Sequence, residues 1–369
     1  MNISKFKDPD SGRMQFRVYS NDSLPFEHIN CFLRHLEFRD LAPNTVKAYA
    51  HDLVFFFRYL IQQGINWSDI NLDGLVRYVH VLRFSSSSNL ASTTTVRSEP
   101  TVSRYVAAVF SFYRYHYFNN GLLIDLGDRG IISESGSSSF QNGFLSFAKS
   151  ARSHSQIKRR PLIKYTKTVK PEPKVIPPDV QFRIIKSCKN LRDKLLISLL
   201  LETGMRIGQV LQLKHSDIES WNECLHIKRR LDNPNQVYAK TRNEYTVSLS
   251  KEWLDLYTDY IIHDQGDINA EYVFTSLYRK DGGDVTAPLS YQRAKKLLKS
   301  IGDEIGFNLT PHMFRHTHAT ELLKADTPIE IVAKRLGHAS IETTRNMYEH
   351  LSARDMRKIL DSAKGLDKN

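Results

Sequence analysis

The chain has 369 residues, 41% of them hydrophobic and 25% charged. That length suits roughly two to three domains, and that composition is ordinary for a globular protein, which excludes a disordered or fibrous chain. Lys and Arg outnumber Asp and Glu by 52 to 40, a net charge of +12, so a polyanion is the expected class of partner: nucleic acid or an anionic surface.

Cys31, Cys188 and Cys224 are far apart and odd in number, and no CxxC pair exists. The pattern gives no disulfide framework and no thiolate zinc motif, and it suits a reducing cytoplasm. The first residues, MNISKFKDPD, lack the apolar run of a signal peptide. The most apolar stretch, DLVFFFRYLI, is interrupted by Arg58 and is too short to span a bilayer. A cytoplasmic protein with no membrane partner is expected.

Residues 1–23 form a polar extension in which MQFRVYS alternates as a short strand does. From Leu24 the period becomes helical. Ile29, Phe32, Leu33 and Leu36 fall at i, i+3, i+4, i+7, one face of a helix. A second helix starts at Pro43-Asn44 and stops at Gly64, with Val46, Tyr49, Leu53, Phe56, Phe57 and Leu60 on one side. Two more are predicted over 71–84 and 101–119, separated by a Ser/Thr-rich loop at 85–99. Residues 24–124 thus read as a helical domain of four helices.

Residues 125–174 read as a basic linker. Its second half, KSARSHSQIKRRPLIKYTKTVKPEPK, carries nine Lys and Arg against one Glu, and Pro161, Pro171 and Pro173 oppose a regular helix. Such a segment is suited to lie on phosphates, with Lys158, Arg159 and Arg160 the densest run. A last domain, 175–369, begins with two helices, the second apolar nearly all round and therefore buried. ECLHIKRR, QVYAK and EYTVSLS read as three short strands of a small antiparallel sheet. Helices follow at about 251–263, 290–304, 311–325, 328–336 and 340–350, and SARDMRKILDSAK closes the chain. The fold class is mainly α: a four-helix domain followed by a mixed α/β domain of helices with a small three-stranded sheet.

PHMFRHTHATELL concentrates His312, Arg315, His316 and His318. A zinc reading needs two ligands one turn apart and a third elsewhere. His312 and His316 have the first spacing, but Met313 stands where a zincin places Glu, and no third ligand is evident, so no metal is expected here. The anion reading has more in its favour. His312 and Arg315 share a face in the first turns of a helix opened by Pro311, where free N–H groups and the dipole favour an anion. Arg206 follows a Gly turn in TGMRIGQVLQL, its helix anchored by Ile207, Val210, Leu211 and Leu213. RLGHASIETTRNMYEHL ends one helix at Gly337-His338 and opens another behind Ser340, with Tyr348 on the second.

Arg206, HMFRHTHAT and LGHASIETTRNMYEHL in this order resemble the tyrosine recombinase, or phage integrase, family over most of residues 175–352. Residues 24–120 resemble its N-terminal core-binding domain more loosely. The resemblance implies a DNA strand transferase that works without cofactor or metal. Tyr348 would attack the scissile phosphate, Arg206 and Arg315 would hold its non-bridging oxygens, His312 would take or share the tyrosine proton, and His338 would hydrogen-bond the phosphate. Lys240, on a β-hairpin, would be the general acid for the leaving 5′-hydroxyl, with Arg242 two positions on as the competing DNA contact. The family commonly has an acidic residue three positions after the first Arg; here Gln209 stands there.

The resemblance further implies a C-shaped clamp on double-stranded DNA and a homotetramer on two DNA sites, with room for an accessory DNA-binding protein or a second recombinase. The tail, through Met356, Ile359 and Leu360, would dock on a neighbouring subunit or its own domain. The length, Ser-rich loop and long linker resemble the Tn554-type transposases of mobile elements; a Xer-like dimer resolvase is the alternative within the family. A helical DNA-binding regulator that cuts nothing is the alternative outside it, and it has no use for a tyrosine at 348.

Overall fold

The structure is a computed structural model that describes residues 1–84, 97–120, 174–230, 233–235, 237, 244–265, 269–276, 286–338, 340–342 and 344–345. The chain divides into two compact units, Met1–Asp8 with Met14–Lys170, and Pro9–Arg13 with Pro171–Asn369.

In the first unit β1 (Asn2–Lys7) and β2 (Met14–Tyr19) form an antiparallel hairpin, Asn2 opposite Tyr19 and Lys7 opposite Met14. Among the described residues four helices follow: α1 (Glu27–Phe38), α2 (Pro43–Gln63), α3 (Leu72–Phe84) and α4 (Glu99–Asn120). The apolar face read in α1 is the buried one, Ile29, Phe32, Leu33 and Leu36. Pro43 opens α2, where its missing N–H is no loss, and Gly64 closes it at φ 63°, a left-handed turn that a side chain would strain. Phe16 and Val18 of β2 join the helical core. Buried Asn30 ties strand to helix by accepting from the Val18 N–H (2.8 Å) and donating to the Val18 carbonyl (3.0 Å). β1 escaped the sequence reading because NISKFK is mostly exposed and carries little apolar alternation.

The second unit is built around α6 (Leu191–Thr203), which follows α5 (Pro178–Lys186). Asn190 caps α6 by accepting from the Asp193 N–H, and Gly204 ends it at φ 60°. Leu195, Leu196, Ile197, Leu199 and Leu200 are buried, so α6 is wrapped on all sides, as its sequence implies. The short α7 (Ile207–Val210) comes next. The sheet then contains β3 (Ile218–Glu219), β4 (Cys224–Ile227) and β5 (Tyr245–Ser248), antiparallel in that order. The sequence reading did not single out β3. β4 pairs directly with β5, and the third strand is the two-residue β3, too short for any periodicity to reveal. Of the expected strand QVYAK only Val237 lies within the described residues.

α8 (Lys251–Tyr260) ends in a π-type turn, Ile261–Gln265. α9 (Tyr291–Ile305), α10 (Pro311–Lys324) and α11 (Ile329–Arg335) complete the described helices. α6 packs on both α8 and α10. Residues 341, 342, 344 and 345 are helical; the rest of the expected helix 340–350 and the tail from 351 lie outside the described residues, as does most of the linker 125–174. Among the described residues no helix is long and apolar enough to cross a membrane.

Candidate active site

The C-terminal ends of two helices meet at Arg315 of α10. Its side chain is 5% exposed. One guanidinium nitrogen donates to the Gly204 carbonyl at 3.0 Å, the other to the Leu336 carbonyl at 2.8 Å. Gly204 closes α6 and Leu336 closes α11. Both carbonyls belong to the partially negative ends of helices, whose last acceptors lack intrahelical donors. They hold the cation in one orientation without neutralising it, as a carboxylate would.

Arg206 lies two residues beyond Gly204, at the N-cap of α7. Ile207, Val210, Leu211 and Leu213 are buried beside it, so its backbone is fixed as expected. Its backbone N–H donates to Gln209 Oε1 at 3.0 Å. Its side-chain Nη1 is buried and has no hydrogen-bond partner among the described residues. Burial lowers the guanidinium pKa from its usual value, and nearby Tyr245 opposes that. A buried cationic donor without an acceptor is costly, and an anionic oxygen is what would satisfy it.

His338 follows α11. Its Nδ1 is 2.7 Å from Thr344 Oγ1. Burial pushes its pKa down to about 4, helped by the charges of Arg315, Arg206 and His316. Those couplings place His338 in the field of both arginines. His312 is exposed in the first turn of α10. His316, one turn on, has its pKa lowered by burial, then by His312 and Arg315.

The third histidine faces elsewhere. His318 is 7% exposed and accepts from Arg335 Nε at 3.1 Å. Its ring packs so close to Gly204 that an added Cβ there would come within 2.9 Å of it. His318 is therefore a packing residue. Among the described residues no third Cys, His or carboxylate joins His312 and His316 in a metal-ligand group.

Tyr245, at the start of β5, belongs to this site and was not singled out in the sequence. Gln209 Nε2 donates to its hydroxyl at 3.0 Å. Burial raises its pKa, while Arg315, Gln209 and Arg206 pull it back. Its ring occupies the space a Cβ on Gly337 would need. No local pattern announces such a residue; only the pairing of β5 brings it to the arginines. Arg206, Arg315, His316 and His338 are thus brought together with Tyr245 and Gln209. Tyr348, Lys240, Arg242, Lys158, Arg159 and Arg160 lie outside the described residues.

Residues 174–354 match the phage integrase family, and residues 29–118 match its N-terminal SAM-like domain. Transposase A from transposon Tn554 of Staphylococcus aureus is 36% identical over 338 residues, 90% of this chain and 89% of its own. The chain belongs to the phage integrase family of tyrosine recombinases. It is an enzyme of that class, a site-specific DNA recombinase. Tyrosine recombinase XerC of Roseiflexus castenholzii is 28% identical over 337 residues, 88% of this chain and 89% of its own. Among solved structures, the Tn1549 transposon integrase in complex with transposon right end DNA superposes with a TM-score of 0.59 at 16% identity, over 90% of this chain and 99% of that one. The XerH recombinase bound to a difH substrate gives 0.56 at 19%, over 87% and 80%. At those identities the two structures speak for the fold of this recombinase.

Proposed function

We propose that the recombinase is the transposase or integrase of a mobile element, cutting and rejoining double-stranded DNA through a 3′-phosphotyrosyl intermediate at the site around Arg206 and Arg315. The observation that carries the site is the buried Arg206 Nη1, unpartnered among the described residues, in the same electrostatic field as the carbonyl-anchored Arg315. Two rigid guanidiniums are suited to the non-bridging oxygens of a phosphodiester, where charge grows in the transition state. They do so without repositioning as the reaction proceeds.

Tyr348 is the proposed nucleophile. A phenol of pKa ~10 is a weak nucleophile at neutral pH until a base or cations assist it. His312, exposed at the start of α10, takes or shares that proton. His338 donates to the phosphate through Nε2, the tautomer in which Nδ1, 2.7 Å from Thr344 Oγ1, is free to accept from that hydroxyl. Its low pKa keeps it neutral in the free enzyme, so it adds a donor without a third fixed charge. Lys240 protonates the leaving 5′-oxygen, and Arg242 contacts DNA beside it. The phosphotyrosyl link retains the energy of the diester, so rejoining needs no ATP.

Lys158, Arg159 and Arg160 contact DNA phosphates rather than bases, which fixes the protein on the duplex without reading sequence. Four protomers on two DNA sites make the exchange, with an accessory protein or second recombinase compatible with it, in the cytoplasm. The transposase reading has more support than the dimer-resolvase reading: identity to the Tn554 protein is 36%, against 28% to XerC, over similar spans.

The test uses end-labelled DNA carrying a nick near the cleavage position in the flanks of the gene, so that cleaved product is trapped. Wild type is expected to give a covalent protein–DNA band and Tyr348→Phe none, with DNA binding retained. A band that persists with the Phe variant overturns the nucleophile.

A further inference from the structure

A second chemical cluster lies across β5 from the arginines. Glu219 of β3 stands opposite Cys224 of β4, and His226 is two residues further along β4. Residues i and i+2 of a strand share a face. Leu225 and Ile227 turn inward and are buried, so Cys224 and His226 both turn outward. The chain joins β3 to β4 through a tight 3₁₀ turn, Ser220–Asn222, with Glu223 left-handed at φ 49°. The register of this hairpin brings Glu219 onto the same outer face.

The three polar atoms converge. Cys224 Sγ is 3.4 Å from Glu219 Oε2 and 3.8 Å from His226 Nε2, and His226 Nε2 is 3.0 Å from Glu219 Oε2. In a tetrahedral zinc site with Zn–S about 2.3 Å and Zn–N and Zn–O about 2.0 Å, neighbouring donors lie about 3.5 Å apart when one is sulfur and about 3.3 Å when neither is. The observed triangle is within a few tenths of an ångström of one face of that tetrahedron. The remaining polar atoms are occupied elsewhere. His226 Nδ1 is 3.2 Å from Thr246 Oγ1, and Asn222 Nδ2 donates to Glu219 Oε1. Partners on the far side of ligating groups fix ring tautomer and carboxylate orientation in metal sites. Here they leave Nε2, Oε2 and Sγ aimed at one another. Among the described residues this is the one group of three or more such side chains that could hold a metal ion.

We infer that Glu219, Cys224 and His226 form a zinc site on the outer face of the sheet. One thiolate, one imidazole and one carboxylate suit Zn²⁺, with water in the fourth position. Binding replaces the thiol proton, and any proton shared by His226 and Glu219, with the metal; those protons pass to solvent and no redox change occurs. No CxxC pair marks the site in the sequence, and its three side chains meet only through the pairing of β3 with β4. Its consequence is local. Thr246, which orients His226, adjoins Tyr245, which faces Gln209 on the other side of β5. A metal there ties β3, β4 and β5 together immediately behind the arginine site.

The test uses the full chain, stripped of metal with chelator and dialysed. Titration with Zn²⁺ is expected to show one saturable equivalent and a raised unfolding temperature. Co²⁺ in its place is expected to give the thiolate-to-metal charge-transfer absorption. Cys224→Ser and His226→Ala abolish both signals with helical circular dichroism unchanged. Thr246→Val, which touches no metal, weakens binding ~10–100-fold. Absence of a stoichiometric equivalent in wild type overturns the site. So does unchanged affinity in Cys224→Ser, or loss of binding in His316→Ala with retention in His226→Ala, which moves the metal to α10.

Discussion

Gln209 accepts the backbone N–H of Arg206 at 3.0 Å, from a position with no solvent exposure. Its amide also donates to the Tyr245 hydroxyl at 3.0 Å. One neutral side chain therefore links the backbone of one arginine to the tyrosine beside the other. An acidic residue would do the first job equally well and would accept from Tyr245 instead of donating to it.

Gln209→Glu is accordingly expected to fold with near-wild-type stability and to cleave at least as fast. Gln209→Leu leaves the buried Arg206 N–H without an acceptor. The cost is about 1–3 kcal/mol of stability, together with slower cleavage because Arg206 loses its fixed backbone. Urea unfolding and single-turnover cleavage measure both. Wild-type stability in the Leu variant would show that water replaces the amide.

Gly337 takes φ 63°, and an added Cβ would overlap the Tyr245 ring. Gly337→Ala therefore meets two penalties. The left-handed backbone costs about 1–2 kcal/mol, and displacing the ring costs a further ~1–3 kcal/mol. Only the second depends on Tyr245. In a Tyr245→Ala background the Gly337→Ala cost should fall to the backbone part. A double-mutant cycle by urea unfolding reads the coupling. Strict additivity would mean that the ring moves aside freely.

His318 gives the fold an acid sensitivity of definite sign. Its pKa falls from about 6.5 in the unfolded chain to about 4, through burial first and then Arg335 and Arg315. The folded state resists the proton that the unfolded state accepts. Stability is thus complete above pH 6.5 and is lost as pH falls towards 4. The loss is on the order of 3 kcal/mol, from the fall of the pKa from 6.5 to about 4. His318→Gln retains an acceptor for Arg335 and does not titrate. The difference in unfolding free energy between pH 7 and pH 5 should therefore be smaller in the Gln variant. An equal difference would assign the acid sensitivity to other groups.

Much of the fold was legible because helices announce themselves by period and punctuation. The α1 face, Pro43, Gly64 and Gly204 each state their structure locally. The site was legible in part for the same reason: Arg206 sits just after a Gly turn, and His312 and Arg315 share a helix face. Other parts depend on contacts between distant segments. No pattern near residue 315 reveals that its guanidinium reaches the carbonyls of residues 204 and 336. Nothing around 245 marks that tyrosine as a neighbour of both arginines. Glu219, Cys224 and His226 become a cluster only through a hairpin whose first strand is two residues long. β1 was missed because exposed strands need no apolar alternation.

Lys240 is the residue on which the departure of the 5′-oxygen is expected to depend. That oxygen leaves as an alkoxide unless it is protonated in the transition state. His338, whose pKa is pushed down by burial and by both arginines, is held neutral and is engaged with phosphate in the proposed mechanism. It is therefore a poor source for that proton. A lysine ammonium is an adequate acid, and Lys240 lies in the stretch of sequence between β4 and β5. Lys240→Ala is expected to slow cleavage by roughly 10²–10⁴-fold, the usual effect of losing an acid–base group, with DNA binding nearly unchanged. Replacing the bridging 5′-oxygen by sulfur isolates the role. A thiolate leaves without a proton, so the Ala variant should recover most of its rate on that substrate. The arginine site is untouched by the change, so Arg206→Ala should remain slow on both substrates. If Lys240→Ala stays equally slow with sulfur, the proton comes from elsewhere. Recovery in Arg242→Ala instead would move the acid two residues along the same stretch.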